Sequence, residues 1–168
     1  MQIDEIFYYA DAGEAVRKVE GFYAIIDNCG SNIDACNTPQ EMSGLDRFLS
    51  PNYLAVFGPG TATVGGATHS SSDNDLMNAN AFKQFVLSAP ARCDGVGCPV
   101  DLERTFIVEG DTVVNHYIIP NPTDPSEPIH AVAVHEFVNG KIAESYWYTE
   151  HSSSSCAPPR HEDFVVDF

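Results

Sequence analysis

Apolar and polar residues alternate with two different periods along this chain, and the change from one to the other falls near residue 100. In the first part the period is helical. Val16, Val19, Phe22, Tyr23 and Ile26 recur three or four residues apart, which predicts an amphipathic helix over residues 13–29. Thr38-Pro39-Gln40-Glu41 has the form of a capping box with proline at the first helical position. Met42, Leu45, Phe48 and Leu49 give that second helix its stripe, and Ser50-Pro51 stops it. Tyr53 to Phe57 reads as a short strand closed by Gly58-Pro59-Gly60. Residues 58–75 read as a long loop with room for one short strand near Thr61–Val64. A third helix is expected from Asp75 to about Ser88, capped by Asp75 and burying Leu76, Phe82, Phe85 and Val86.

After residue 100 the period shortens to two. Four β-rich runs (100–109, 112–120, 129–138 and 141–150) are separated by Gly110-Asp111, by the proline-rich NPTDPSEP and by Asn139-Gly140. In the third run Ala131, Ala133, His135 and Phe137 alternate with Val132, Val134 and Glu136. A face of small alanines leaves space, so a pocket is expected there. The turn leaves two registers open. A strict two-residue turn would put His135 on one face with Glu144, Tyr146 and Tyr148. A three-residue loop with a bulge would put it with Ala143, Ser145 and Trp147. Helices first and an antiparallel meander afterwards make the class α+β.

Bulk properties narrow the field. A chain of 168 residues, 43% apolar with ten phenylalanines, fits one domain over residues 1–151 and a Ser/Pro-rich tail over 152–168. No run nears the ~18 apolar residues of a membrane span, and the acidic N-terminus shows no signal-peptide pattern. Twenty-four acidic residues against eight basic ones give a charge of −16, which argues against nucleic-acid binding and for a solvating surface. Five cysteines fall as Cys29/Cys36, Cys93/Cys98 and Cys156. The pairs are consistent with free thiols or with small disulfide loops, and neither has zinc-knuckle spacing. The compartment therefore stays open: cytoplasmic, or periplasmic or extracellular if the pairs are oxidised. No phosphate loop, GxSxG or metal motif is visible, so neither cofactor nor metal is expected.

Two segments carry a resemblance: LDRFLSPNYLAVFGPG, a helix running into a strand, and HEFVNGKIAESYWY, an aromatic hairpin around Gly-Lys-Ile. In order and spacing they resemble the nuclear transport factor two superfamily, specifically its SnoaL-like branch, over roughly residues 10–150. The resemblance implies a cystatin-like α+β barrel, in which a cone-shaped curved antiparallel sheet wraps around three N-terminal helices and leaves a deep pocket. The superfamily holds ketosteroid isomerases, polyketide cyclases, scytalone dehydratases, limonene epoxide hydrolases and non-enzymatic binding modules, so it fixes little chemistry. Residue by residue, most of the carry-over is negative. The isomerases' base aspartate falls near Gly58 and their proton-donating aspartate at Ala133; their tyrosine is kept as Tyr23. The acidic residue of the last strand falls at Trp147, and the epoxide hydrolases' arginine at His116.

What remains for chemistry is His116 and His135, which the resemblance directs into the cone. Imidazoles have an unperturbed pKa of about 6.5, so such a pair can act as acid and base near neutrality. His135 is the candidate base, His116 its partner, and the Tyr23 hydroxyl the donor to an oxygen that gains charge. Trp147, Phe57, Phe82, Phe137 and Ala133 are candidates for the apolar wall. Each also has a plain reading as a packed core residue. The function expected is a cofactor-independent isomerisation, cyclisation or dehydration of an apolar polyketide-, terpenoid- or steroid-like molecule. The alternative is a non-catalytic ligand-binding or dimeric assembly module. The resemblance adds a homodimer through the convex sheet face, with Val132, Val134, Tyr146 and Tyr148 as its patch; no nucleic acid or membrane partner is expected.

Overall fold

The computed structural model describes residues 3–31, 36, 38, 40–65, 67–88, 103–119 and 126–149. Helix α1 spans Ile3–Ser31; of the stripe the periodicity picks out, Val19, Phe22, Tyr23 and Ile26 are buried and Val16 is half-buried, while Cys29 extends the buried face. Gly21 lies beside this stripe because the Phe48 ring rests on it; a Cβ there would sit 2.6 Å from Phe48 Cζ. Cys29 is joined to Cys36 by a disulfide. Cys93, Cys98 and Cys156 lie outside the described residues, as does the tail 152–168.

The expected second helix is a short 3-10 helix, Ser43–Arg47. Its box is half formed: Glu41 accepts from the Thr38 backbone N–H at 2.7 Å, but the segment turns instead of continuing as an α-helix. The third helix starts later than expected. Asp75–Asn78 is a strand, and α2 (Ala79–Leu87) is capped by Asn78, whose side chain accepts from Ala81 N–H at 3.0 Å. Strand geometry turns Leu76 outward, 65% exposed rather than buried, whereas Phe82, Phe85 and Val86 are in the core. Among the described residues the fold thus has two α-helices and one 3-10 turn where three helices were expected.

Among the described residues, eight strands form one curved sheet. They are β1 (Leu49–Phe57), β2 (Gly60–Val64), β3 (Ala67–Ser71), β4 (Asp75–Asn78), β5 (Arg104–Glu109), β6 (Thr112–Ile119), β7 (Ile129–Val138) and β8 (Lys141–Thr149). The order is β3-β2-β8-β7-β6-β5, with β1 on β8 and β4 on β1. The supposed loop 58–75 is largely the β2–β3 hairpin. The sheet is mixed rather than antiparallel, because β1 runs parallel to β8.

The register left open by sequence resolves as a combination. Asn139 (φ 53°) and Gly140 (φ 72°) make a two-residue turn pairing Val138 with Lys141. A bulge at Ala143 then slips the pairing by one, so that Glu136 faces Glu144 and His135 faces Ser145. That slip places Ser145 and Trp147 on the inner face and Tyr146 and Tyr148 on the outer one.

Candidate functional site

The inner face of β6, β7 and β8 is built from alternate residues: Val113, Asn115 and Tyr117; Ala131, Ala133, His135 and Phe137; Ser145 and Trp147. Helix α1 lies across them and delivers Tyr23 to their centre. The result is a buried hydrogen-bonded chain. Trp147 Nε1 donates to the Tyr23 hydroxyl at 3.3 Å, that hydroxyl meets His135 Nε2 at 3.1 Å, and His135 Nδ1 meets Ser145 Oγ at 2.8 Å. His135 and Ser145 are both fully buried.

Burial sets the charge state of this chain. Desolvation, with a smaller push from the Arg104 charge, lowers the His135 pKa to about 3, so the imidazole is neutral at ordinary pH. Desolvation raises Tyr23 to about 12, against opposing contributions from Asn115, Trp147 and Arg104. The acid–base pair expected near pH 6.5 is therefore not what the interior offers. A neutral imidazole can still pass protons by taking one at one nitrogen while releasing one from the other, without becoming charged.

Aromatic rings fix the geometry. Trp147 is stacked between Phe57 (5.3 Å) and Phe82 (5.1 Å), and Phe22 meets His135 edge-on at 5.6 Å. Arg104 makes a two-pronged ion pair with Asp27 (2.9 and 3.1 Å) and lies over the Tyr23 ring at 4.3 Å. Asp27 keeps a raised pKa, because its desolvation outweighs the pull of Arg104.

Of the sequence candidates, Tyr23, His135, Trp147, Phe57, Phe82 and Ala133 come together in the interior. His116 does not. The pairing of β6 with β7 sets Asn115, not His116, against Ala133 on the inner side. His116 stands on the outer face, its Nε2 3.0 Å from His130 Nδ1 with the two rings nearly parallel. Phe137 is inward but further along, at the floor of a cleft of about 220 Å³ lined also by Glu14, Ala15, Lys18, Asp111 and Gly140. A second cleft, about 540 Å³, lies by the start of α2 against Leu49, Pro51 and Lys141. Neither cleft is lined by His135. At Gly58, where the resemblance puts the isomerases' base, a Cβ would stand 2.9 Å from the ring of Tyr148, an outer-face residue.

Sequence reasoning passed over Asn115 and Tyr53. Both are buried; the Tyr53 hydroxyl and both polar atoms of the Asn115 amide make no hydrogen bond of acceptable geometry. A polar residue in the apolar run VVNHYII was the available signal, but the neighbouring histidine drew the assignment. Among the described residues no cluster of three His, Cys, Asp or Glu side chains is placed to hold a metal ion.

Comparison with solved structures places this architecture. A Xanthomonas campestris protein of unknown function with a cystatin-like fold superposes with a TM-score of 0.54, at 12% identity over 82% of this chain and 91% of that one. An NTF2-like protein of unknown function from Mesorhizobium loti gives 0.52, at 12% identity over 83% and 93%. The chain has the NTF-2-like fold. IdmH from Streptomyces antibioticus, described as a candidate polyketide cyclase, shares this NTF-2-like fold with a TM-score of 0.50, at 11% identity over 81% and 91%. No family model matches the sequence, and no curated protein does. At these identities the neighbours speak for the fold alone.

Proposed function

We propose that this chain is a small-molecule enzyme of the NTF-2-like fold that moves a proton on a neutral, largely apolar, oxygen-bearing substrate, in an isomerisation, cyclisation or dehydration. The observation that carries this reading is the inward-facing chain Trp147–Tyr23–His135–Ser145 in an otherwise aromatic interior. In one tautomer Tyr23 O–H donates to Nε2 and Nδ1–H donates to Ser145 Oγ; in the other, Ser145 O–H donates to Nδ1 and Nε2–H donates to the Tyr23 oxygen. Interconverting them carries a proton in at one end and out at the other with no charge on the imidazole. Tyr23 is the end that hands a proton to a substrate oxygen, and Ser145 is the end that accepts one.

The test is deuterium exchange at the carbons flanking the carbonyl of 2-tetralone, followed by proton NMR in heavy water. The reading expects the protein to accelerate exchange and His135→Gln and Tyr23→Phe to abolish the acceleration. Exchange no faster than buffer, or unchanged in both variants, defeats it.

A second reading, a module that binds or assembles without chemistry, has its own support: Trp147 fills the space between Phe57 and Phe82, and neither cleft reaches His135. Under that reading His135→Leu raises stability and no exchange is seen. Either way, we assign a homodimer to the outer face. There Ile107, Val114, Val134, Tyr146, Val56 and Leu76 pair side by side in one apolar row across six strands. Ile107 and Leu76 are more than 60% exposed at its two ends.

A further inference from the structure

We infer that His116 and His130 form a two-histidine site on the outer face of the sheet for a divalent late transition-metal ion of the nickel or copper class. The inference is independent of the proton-transfer reading and survives that reading's failure.

Strand pairing brings the two rings together. His116 lies opposite Val132 and His130 opposite Ile118, so the two histidines are diagonal neighbours on the face that β6 and β7 share. His116 Nε2 stands 3.0 Å from His130 Nδ1, with the ring planes 10° apart. Fourteen residues separate them along the chain, a spacing that matches no metal motif, so the pair becomes visible only in the fold.

The nitrogen separation suits one ion. Two ligands at right angles, each about 2.1 Å from a metal, have their nitrogens about 3.0 Å apart, whereas tetrahedral ligands stand about 3.4 Å apart. Right-angled nitrogen ligation is the preference of nickel(II) and copper(II), and imidazole suits both ions. A turn of each ring aims its lone pair at a common ion, which replaces the N–H···N bond between them. Each imidazole stays neutral, with its one proton on the outer nitrogen: Nδ1 of His116 and Nε2 of His130. Between exposed groups the bond given up is worth little, because water competes for it.

The surroundings admit a cation. His130 is exposed and His116 half-exposed. The outward residues of β5, β6 and β7 include no lysine or arginine, and the whole chain carries a charge of −16. The β5–β6 pairing continues to Glu103, an exposed acid whose carbonyl accepts from Ile118 N–H at 3.2 Å. Among the described residues no third His, Cys, Asp or Glu completes a ligand set, so the ion keeps positions open for water or a small chelating anion. His116 borders the Val114–Val134 row and His130 lies further out, which puts the pair at the margin of the apolar row assigned to the dimer.

Calorimetric titration of the full chain with nickel(II), in a buffer that does not chelate it, should show a saturable site, and magnesium should show none. His116→Ala and His130→Ala should each weaken the nickel site about tenfold or more, at least what losing an outer-shell partner costs a metal site. His69→Ala, which alters an imidazole paired with Asp75 elsewhere in the fold, should leave it unchanged. In ¹⁵N-histidine spectra, sub-stoichiometric nickel should shift or broaden the ring signals of His116 and His130 before those of His69 and His135. Absence of a saturable nickel site in wild type overturns the assignment. So does a site that either alanine variant weakens by less than the stated factor, since the ion would then be held by other groups.

Discussion

Replacing His135 with glutamine tests the electrostatics of the interior through stability alone, without any substrate. In the unfolded chain the imidazole titrates at its ordinary value near 6.5; in the fold it resists protonation down to about 3. Between those values the unfolded state binds a proton that the folded state refuses. Stability therefore falls as pH is lowered through this window and is unaffected above it. From pH 7 to pH 5 the linkage covers about 1.5 pH units at ~1.36 kcal/mol each, a loss of about 2 kcal/mol from this one side chain. The glutamine variant cannot suffer it. Every other titrating group is shared by the two proteins, so its contribution cancels in the comparison. Urea unfolding read by Trp147 fluorescence, with the Cys29–Cys36 disulfide kept intact, should show wild type losing about 2 kcal/mol more than His135→Gln over that interval. Parallel pH dependences would refute the reasoning, since they require an imidazole that protonates as freely folded as unfolded.

Other consequences are separately measurable. Arg104→Met leaves the Asp27 carboxylate buried without its partner and should cost roughly 3 kcal/mol in urea unfolding, much of it recovered in the double variant Asp27→Leu/Arg104→Met. Gly21→Ala should destabilise despite alanine's better helix propensity, because the new Cβ meets the Phe48 ring at 2.6 Å; a rise in melting temperature would contradict the packing. Trp147→Ala empties the slot between Phe57 and Phe82 and should lower stability by about 3–5 kcal/mol, the usual range for a buried aromatic. Val134→Glu, in the middle of the outer apolar row, should give a folded monomer in sedimentation velocity where wild type gives a dimer; identical sedimentation would remove the dimer assignment.

Much of the architecture was legible because it is written in local periodicity. The α1 stripe, the four late strands and the positive-φ turn at Asn139-Gly140 each follow from residues close together in sequence. The errors arose where tertiary partners decide. Asp75–Asn78 looks like the first turn of a helix, yet β1 offers it a pairing edge and draws it into the sheet. Thr38–Glu41 carries a capping box, but the segment after it makes only a 3-10 turn.

The site shows the same division. The inward face of β7 could be read from its alanines, and the structure turns His135 to that face. The parity of β6 could not, because a long connection rather than a tight turn joins it to β7 and no residue count fixes their register. One residue of slip separates His116 from Asn115, and with it a solvent-facing imidazole from a buried amide. Nor could sequence reveal how far burial shifts His135, since desolvation depends on every element packed around it.

The central claim is that His135 is an uncharged imidazole bridging Tyr23 and Ser145, and nitrogen NMR of that ring tests it most directly. With histidine ¹⁵N-labelled and His135→Gln used for assignment, both ring nitrogens should stay in the neutral range as pH is lowered from about 8 to about 5, in line with a pKa held far below the usual ~6.5. Tyr23→Phe should shift Nε2 selectively. Protonation of His135 near its ordinary pH, or an Nε2 signal indifferent to the loss of the tyrosine hydroxyl, would contradict the account.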